Sequence, residues 1–319
     1  MSSSQVEILF PVFVKDRRSQ RHYKAGYIDF DGAMIIEPSF DDAGPFSEGL
    51  GSVKIRGKWG AIGPDGKIEI EPFSDLALHF SEGRAHFHAN AKRGVLSHND
   101  DIIVGPKYRF IGDYSEDLAW FRSALPESNF GFLNRDGHEK IPTFFEDARR
   151  FSEGVTPVKF DGKWGYIDKS ARFVITPLFD DDSLPFSEGL ARVAIGKRWG
   201  YVNHSGELEI DPRFDDARDF HEGLAAAKIA NAWGFIDRRG EFEIKPAFAF
   251  VGPFSEGLAV AESRAQPDSQ SGFIDHSGSL VIPPQFSNTG RFLHGRCFVK
   301  THAEVGYINQ RGSFVWHGP

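Results

Sequence analysis

Seven glutamates recur at one position of a short box, Glu48, Glu82, Glu116, Glu153, Glu188, Glu222 and Glu256, and His294 breaks the series. Carboxylates in such a series could line a surface that holds cations or basic peptides. They could equally accept hydrogen bonds from the amides of their own loop, which have to be satisfied in every copy. A feature present in every copy is usually what makes the copy fold, so the second reading is preferred. Histidines gather at His79, His86, His88 and His98, and on a strand His86 and His88 share a face as a metal pair would. Two ligands are not a site, and exposed, solvated histidines are the expectation. Adjacent acids such as Asp41-Asp42 and Asp180-Asp181-Asp182 lack the alternate spacing of a calcium loop and read as turn residues. The lone Cys297 lies between Arg296 and Phe298 with no acid–base partner in view, and reads as a buried thiol. His221-Glu222 opens like a paired-His metalloprotease helix, but Gly223-Leu224-Ala225 follows and no second His arrives. No phosphate loop, dinucleotide fingerprint or nucleophile elbow is found.

The elements that carry these residues are set by a repeat. A glycine recurs at Gly26, Gly60, Gly94, Gly131, Gly165, Gly200, Gly234, Gly272 and Gly306, in steps of 34, 34, 37, 34, 35, 34, 38 and 34 residues. The Phe-Ser-Glu-Gly box keeps the same step through Phe46, Phe80, Tyr114, Phe151, Phe186, Phe220, Phe254 and Phe292. Each unit reads as three strands: A around the Trp-Gly dipeptide, B ending in a proline, and C after the box. A and B meet through Asp/Asn-x-x-Gly segments such as Asn203-His204-Ser205-Gly206, the signature of a type I turn closed by a left-handed glycine. The longer B-to-C link, with the box in it, is expected to form a single helical turn. Residues 8–15 look like a C strand with no box before them, so C-A-B is the unit, and about nine three-stranded antiparallel β-meanders of about 34 residues result. The fold expected is all-β, one tandem array over residues 1–319 stacked in an open curve, the alternative being a closed propeller-like ring.

Trp59-Gly60, Trp164-Gly165, Trp199-Gly200 and Trp233-Gly234, each followed by Ile or Val two residues on, resemble the WG-repeat (KWG-repeat) family, as do the Pro-x-Phe and Phe-Ser-Glu-Gly-Leu-Ala segments. The resemblance covers about residues 8–316. It implies a mainly bacterial interaction module with no shared active site, and it brings no catalytic residue. Ala25, Arg93, Phe130, Ser271 and Val305 stand where the family has Trp.

Composition narrows the function further. A formal charge of −8 argues against broad binding to nucleic-acid backbones. No apolar run approaches a membrane span, and the opening Met1-Ser2-Ser3-Ser4-Gln5 has no leader-like pattern, so a cytoplasmic protein is expected. One cysteine excludes an internal disulfide framework. No cofactor or metal is expected. Function is better sought where units differ, since insertions in arrays map to loops and often to a binding face. One insertion, Ala119 to Asn129, carries Trp120, Phe121 and Arg122; the other, Ala261 to Ser271, carries Glu262, Arg264, Gln266 and Gln270. Trp and Arg are enriched at interaction hot spots. Trp120, Phe121, Arg122 and Arg264 are therefore the expected contacts to another protein or peptide, although Trp120 and Phe121 could simply pack in a variant C strand. A glycan- or small-ligand-binding array, with the recurrent Trp as an aromatic ladder, is the alternative; those Trp are expected to pack between units instead. An enzyme is not expected.

Overall fold

The computed structural model describes residues 8–16, 23–125, 129–180, 183–264 and 270–318. Within them every regular element is a β-strand. The chain divides into two compact bodies, Met1–Phe151 with Gly318–Pro319, and Ser152–His317.

Each body is built of C-A-B meanders joined by tight turns. In the N-terminal body Leu50–Ile55 pairs with Lys58–Ile62, which pairs with Ile68–Ser74. In the C-terminal body Ala191–Ile195, Arg198–Val202 and Leu208–Phe214 repeat the order. The A–B turns are as the sequence reads: the Asp29 carboxylate accepts the amides of Asp31 and Ala33 at 2.9 and 2.8 Å, and Gly32 closes the turn at φ 85°.

The Trp-Gly glycine is explained by strand B. Trp199 pairs with Phe214 and Tyr201 with Ile210, so three residues, Asp211-Pro212-Arg213, bulge opposite Gly200. A Cβ on Gly200 would sit 2.5 Å from the Ile210 carbonyl oxygen. The proline, which cannot donate to the ladder, occupies the bulge where no donor is needed.

The box differs from its expected helical turn. Ser47 pairs with Leu50 and His221 with Leu224 around Glu48-Gly49 and Glu222-Gly223. Glu48 and Gly49 lie at φ 53° and 84°, the two left-handed residues of a type I′ hairpin. The segment before the box can thus add a short fourth strand to the next meander, as Asp42–Ser47 and Asp216–His221 do. Twice strand B runs unbroken into this segment, as Ile102–Ile111 and Phe242–Val251, and each time a seven-stranded antiparallel sheet results. Among the described residues none of the sheets closes into a barrel.

The cores lie between successive meanders. Val155, Trp164, Tyr166, Ile175 and Phe179 of one pack on Phe186, Ala191, Val193 and Val202 of the next. A three-stranded sheet has too little apolar area to stand alone, and stacking supplies the other half.

Candidate functional site

The repeat-locked residues turn out to join units. The Glu188 carboxylate accepts the Gly223 amide at 3.0 Å, Glu222 that of Gly257 at 3.0 Å and Glu256 that of Gly295 at 2.7 Å. In the N-terminal body Glu48 takes the Gly83 amide at 2.8 Å. The glutamates therefore serve the next box rather than their own loop, because the hairpin points each side chain forward along the stack. Beside them each box serine donates forward to the next box's first carbonyl, Ser152 to Phe186 and Ser187 to Phe220 at 2.7 Å each. An acid just after strand B is taken by the cation that opens strand A: Asp41 by Lys24 at 2.7 Å, and Asp75, Asp180 and Asp215 by Lys58, Lys163 and Arg198. The lysine partner holds the Asp41 carboxyl below its ordinary range. Asp181 and Asp182 lie outside the described residues.

The other chemistry-bearing residues fall as follows. Trp164 and Trp233 are buried, and Trp59 and Trp199 are half-buried, with Arg192 5.2 Å from the Trp199 ring; these rings form no open ladder. Cys297 is buried, and burial pushes its thiol up to about 12. His79 is exposed, whereas His86, His88 and His98 are half-buried. Nδ1 of His79 and of His86 stand 3.7 and 3.4 Å from the Asp113 carboxylate, His88 is bonded to Asp75 at 3.2 Å and His98 to the Glu48 carbonyl at 2.8 Å. Hydrogen bonding to Asp113 raises the His79 pKa and, with His86, drives that of Asp113 well below the usual carboxylate range. Among the described residues no group of three or more His, Cys, Asp or Glu could hold a metal.

The first insertion extends the hairpin of Leu118–Ser123 and Phe130–Asn134. Alternation along the strand separates the expected contacts. Phe121 is 0% exposed and belongs to the core with Tyr108, Ile111 and Leu133, so it is withdrawn from any surface. Trp120 and Arg122 lie on the opposite face, both half-buried. There the Trp120 and Phe130 rings are 5.7 Å apart and the Arg122 guanidinium is 5.4 Å from the Phe130 ring. Arg122 pairs in register with Phe110, and Arg93 and Arg109 stand 5.8 and 5.5 Å from the Phe110 ring. Three arginines thus surround two rings beside a tryptophan. Phe110, Arg93 and Arg109 escaped the sequence reading because they come from two other strands, and only the bulged register at Arg109 brings them here. Residues 126–128 of the tip lie outside the described residues.

The second insertion follows the other long strand. Phe250, 38% exposed, pairs with Glu262, whose carboxylate accepts from the Ser271 hydroxyl at 2.9 Å. Arg264 is exposed at the end of this hairpin's described part; 265–269, with Gln266, lie outside it.

Comparison with solved structures gives a likeness to a eukaryotic initiation factor, with a TM-score of 0.65 and 12% identity over 99% of this chain and 98% of that one. At that identity it shows a shared fold alone. Weaker likenesses are to Hsv2p of Kluyveromyces lactis (TM-score 0.43, 12% identity, 63% of this chain and 74% of that one) and to apo AztD of Citrobacter koseri (0.46, 12%, 86% and 92%). No curated protein matches the chain in sequence. The model of the WG containing repeat matches residues 26–59, 94–123, 130–164, 164–199, 199–231, 233–263 and 272–302. With those seven matches set on the glycine bulge, the box hairpin and the stacked meanders, the chain belongs to the WG containing repeat family.

Proposed function

We propose that this chain is a non-enzymatic scaffold, working in the cytoplasm without a cofactor, that binds another protein through the arginine–aromatic face of its first long hairpin. The observation that carries the reading is the cluster of Arg93, Arg109 and Arg122 around Phe110 and Phe130 beside Trp120. Rings hold the guanidinium groups in place, so little side-chain freedom is lost when a partner docks. On a chain of net charge −8 this is a local concentration of positive charge, and it suits a partner segment with acidic and apolar side chains. The glycan alternative draws no support from the repeat tryptophans: Trp164 and Trp233 are buried, Trp199 packs against a core and Trp59 lies beside Lys54.

The test is affinity capture from native lysate with wild type beside Trp120→Ala/Arg122→Ala. Hot-spot truncation costs at least about 2 kcal/mol, so one dominant partner should fall by more than roughly tenfold in the variant. A partner retained at the wild-type level, or empty capture by both proteins, refutes the reading.

A further inference from the structure

Two cavities of the C-terminal body meet at Arg218. One, of about 390 Å³, is lined by Arg192, Asp216, Asp219 and His221. The other, of about 230 Å³, is walled by Phe250, Leu258, Val260 and Phe273, with Arg291 also lining it. Arg218 and Pro253 line both.

Arg218 is held by its side chain's flat faces. Its guanidinium carbon lies 5.0 Å from the Trp233 ring and 4.8 Å from the Phe250 ring. Burial pushes its pKa down, so the charge is partly stripped of water. Two acids, Asp216 and Asp219, lie close enough to favour its charge, and both have other partners: Asp216 accepts the Ala217 amide at 2.8 Å, and Asp219 stands 3.2 Å from Nε of Arg192, whose Nη1 donates to the Ala217 carbonyl. Among the described residues the Arg218 guanidinium meets no carboxylate at ion-pair distance and no hydrogen-bond acceptor. A planar donor fork, fixed in place, partly desolvated and without an acceptor, suits a carboxylate, which it can grip through two parallel bonds. Exposed Arg291 adds a second positive group to the same cavity.

We propose that this pair of cavities binds the C-terminal carboxylate of a peptide whose last residue is apolar and of Leu or Phe size. The carboxylate sits on Arg218 and Arg291, and the last side chain fills the apolar cavity. An apolar cavity of roughly 150 Å³ already holds a benzene ring, so 230 Å³ is ample for such a side chain. The polar cavity continues from Arg218 and offers room for the preceding peptide groups. A simple fatty acid has nothing polar to place there, which favours a peptide terminus as the source of the carboxylate. This second site lies on a different body from the hairpin face and stands independently of it.

The probes are a short acetylated peptide ending in Leu with a free carboxylate, the same peptide as its C-terminal amide, and octanoate, titrated calorimetrically into the full chain. The free acid should bind with a Kd of roughly 1–100 μM. Amidation, Arg218→Met, and Val260→Phe, which fills the cavity, should each weaken binding by more than about tenfold. Should Arg218→Met fail to fold, the acid–amide comparison on wild type and Val260→Phe still decide. Absent binding of the free acid, equal binding of the amide, or full affinity in folded Arg218→Met overturns the site. Octanoate binding as tightly as the peptide overturns the peptide terminus as its ligand.

Discussion

Replacing Gly200 by alanine is the sharpest test of how strand B shapes the unit. The new methyl would lie 2.5 Å from the Ile210 oxygen, 2.7 Å from the Pro212 nitrogen and 3.0 Å from the Asp211 carbonyl carbon. Carbon contacts are comfortable only beyond roughly 3.5 Å. All three neighbours are backbone, so no side chain can swing away; the bulge itself has to open and disturb the Trp199–Phe214 and Tyr201–Ile210 pairs beside it. Overpacking of this kind costs about 1–3 kcal/mol, and rigid neighbours put it in the upper half. At about 2–4 °C per kcal/mol for a body of this size, Tm should fall by about 4–12 °C. Gly105→Ala is the matched control. It too lies in a B strand, but nothing stands within 4 Å of its Cβ and its φ is ordinary, so stability should stay within about 0.5 kcal/mol of wild type. Calorimetry with urea denaturation on both variants measures the difference. A Gly200→Ala protein melting within a degree of wild type, or a Gly105→Ala protein as damaged as Gly200→Ala, refutes the close-approach account.

Three further outcomes follow from side-chain surroundings. Ala171 closes its A–B turn at φ 62°, where every other unit but the one with Asp100 has glycine, so Ala171→Gly should raise stability by about 0.5–1 kcal/mol; a lower urea midpoint would contradict the strain. Asp113 raises the His79 pKa, so His79 in Asp113→Asn should titrate closer to 6.5 by NMR. The His79 share of stability is present at low pH and fades as pH rises through its raised pKa; the Asp113 share is lost as acid protonates the depressed carboxyl. The substitution should therefore be most damaging at about pH 5–6 and least damaging above about pH 8, and a pH-independent loss would count against the pair. The Cys297 thiol, pushed up to about 12, should react with a disulfide reagent at pH 8 only after denaturation, and fast labelling of the native protein would show it is not buried.

Period, strand content and the A–B turn were legible because they rest on local rules: a left-handed glycine, a proline, an alternating apolar pattern. The partner of each box glutamate was not. An acceptor shows in the sequence, but whether it serves its own loop or the next depends on how far stacked meanders are offset, and the 34-residue period does not reveal that offset. The cation before the Trp and the Asp 17 residues later, as in Lys58 and Asp75, were a readable pair, since both recur at fixed places. At the insertion, residue type singled out Trp120 and Arg122, and the structure places both, half-buried, on one face of the strand. Phe121 belongs to the opposite face by the same alternation, and Phe110 with its arginines joins only through a register set by a bulge. Arg218 gave no sequence signal, because its place between Trp233 and Phe250 is made by two other strands.

The forward-reaching Glu and Ser of each box have a consequence for how such a chain can grow. A box with both residues gives with one side and receives with the other: carboxylate and hydroxyl lead, amide and carbonyl wait. Within each body the stack is therefore directional, in the sense that a filament is. A unit copied head to tail by gene duplication finds both bonds ready on either side, whatever its other residues do. His221 shows the tolerance of this scheme, since it replaces the box serine while Glu222 still takes the Gly257 amide. Loops and hairpin tips can then diverge for recognition while the direction of assembly stays written in two side chains per copy.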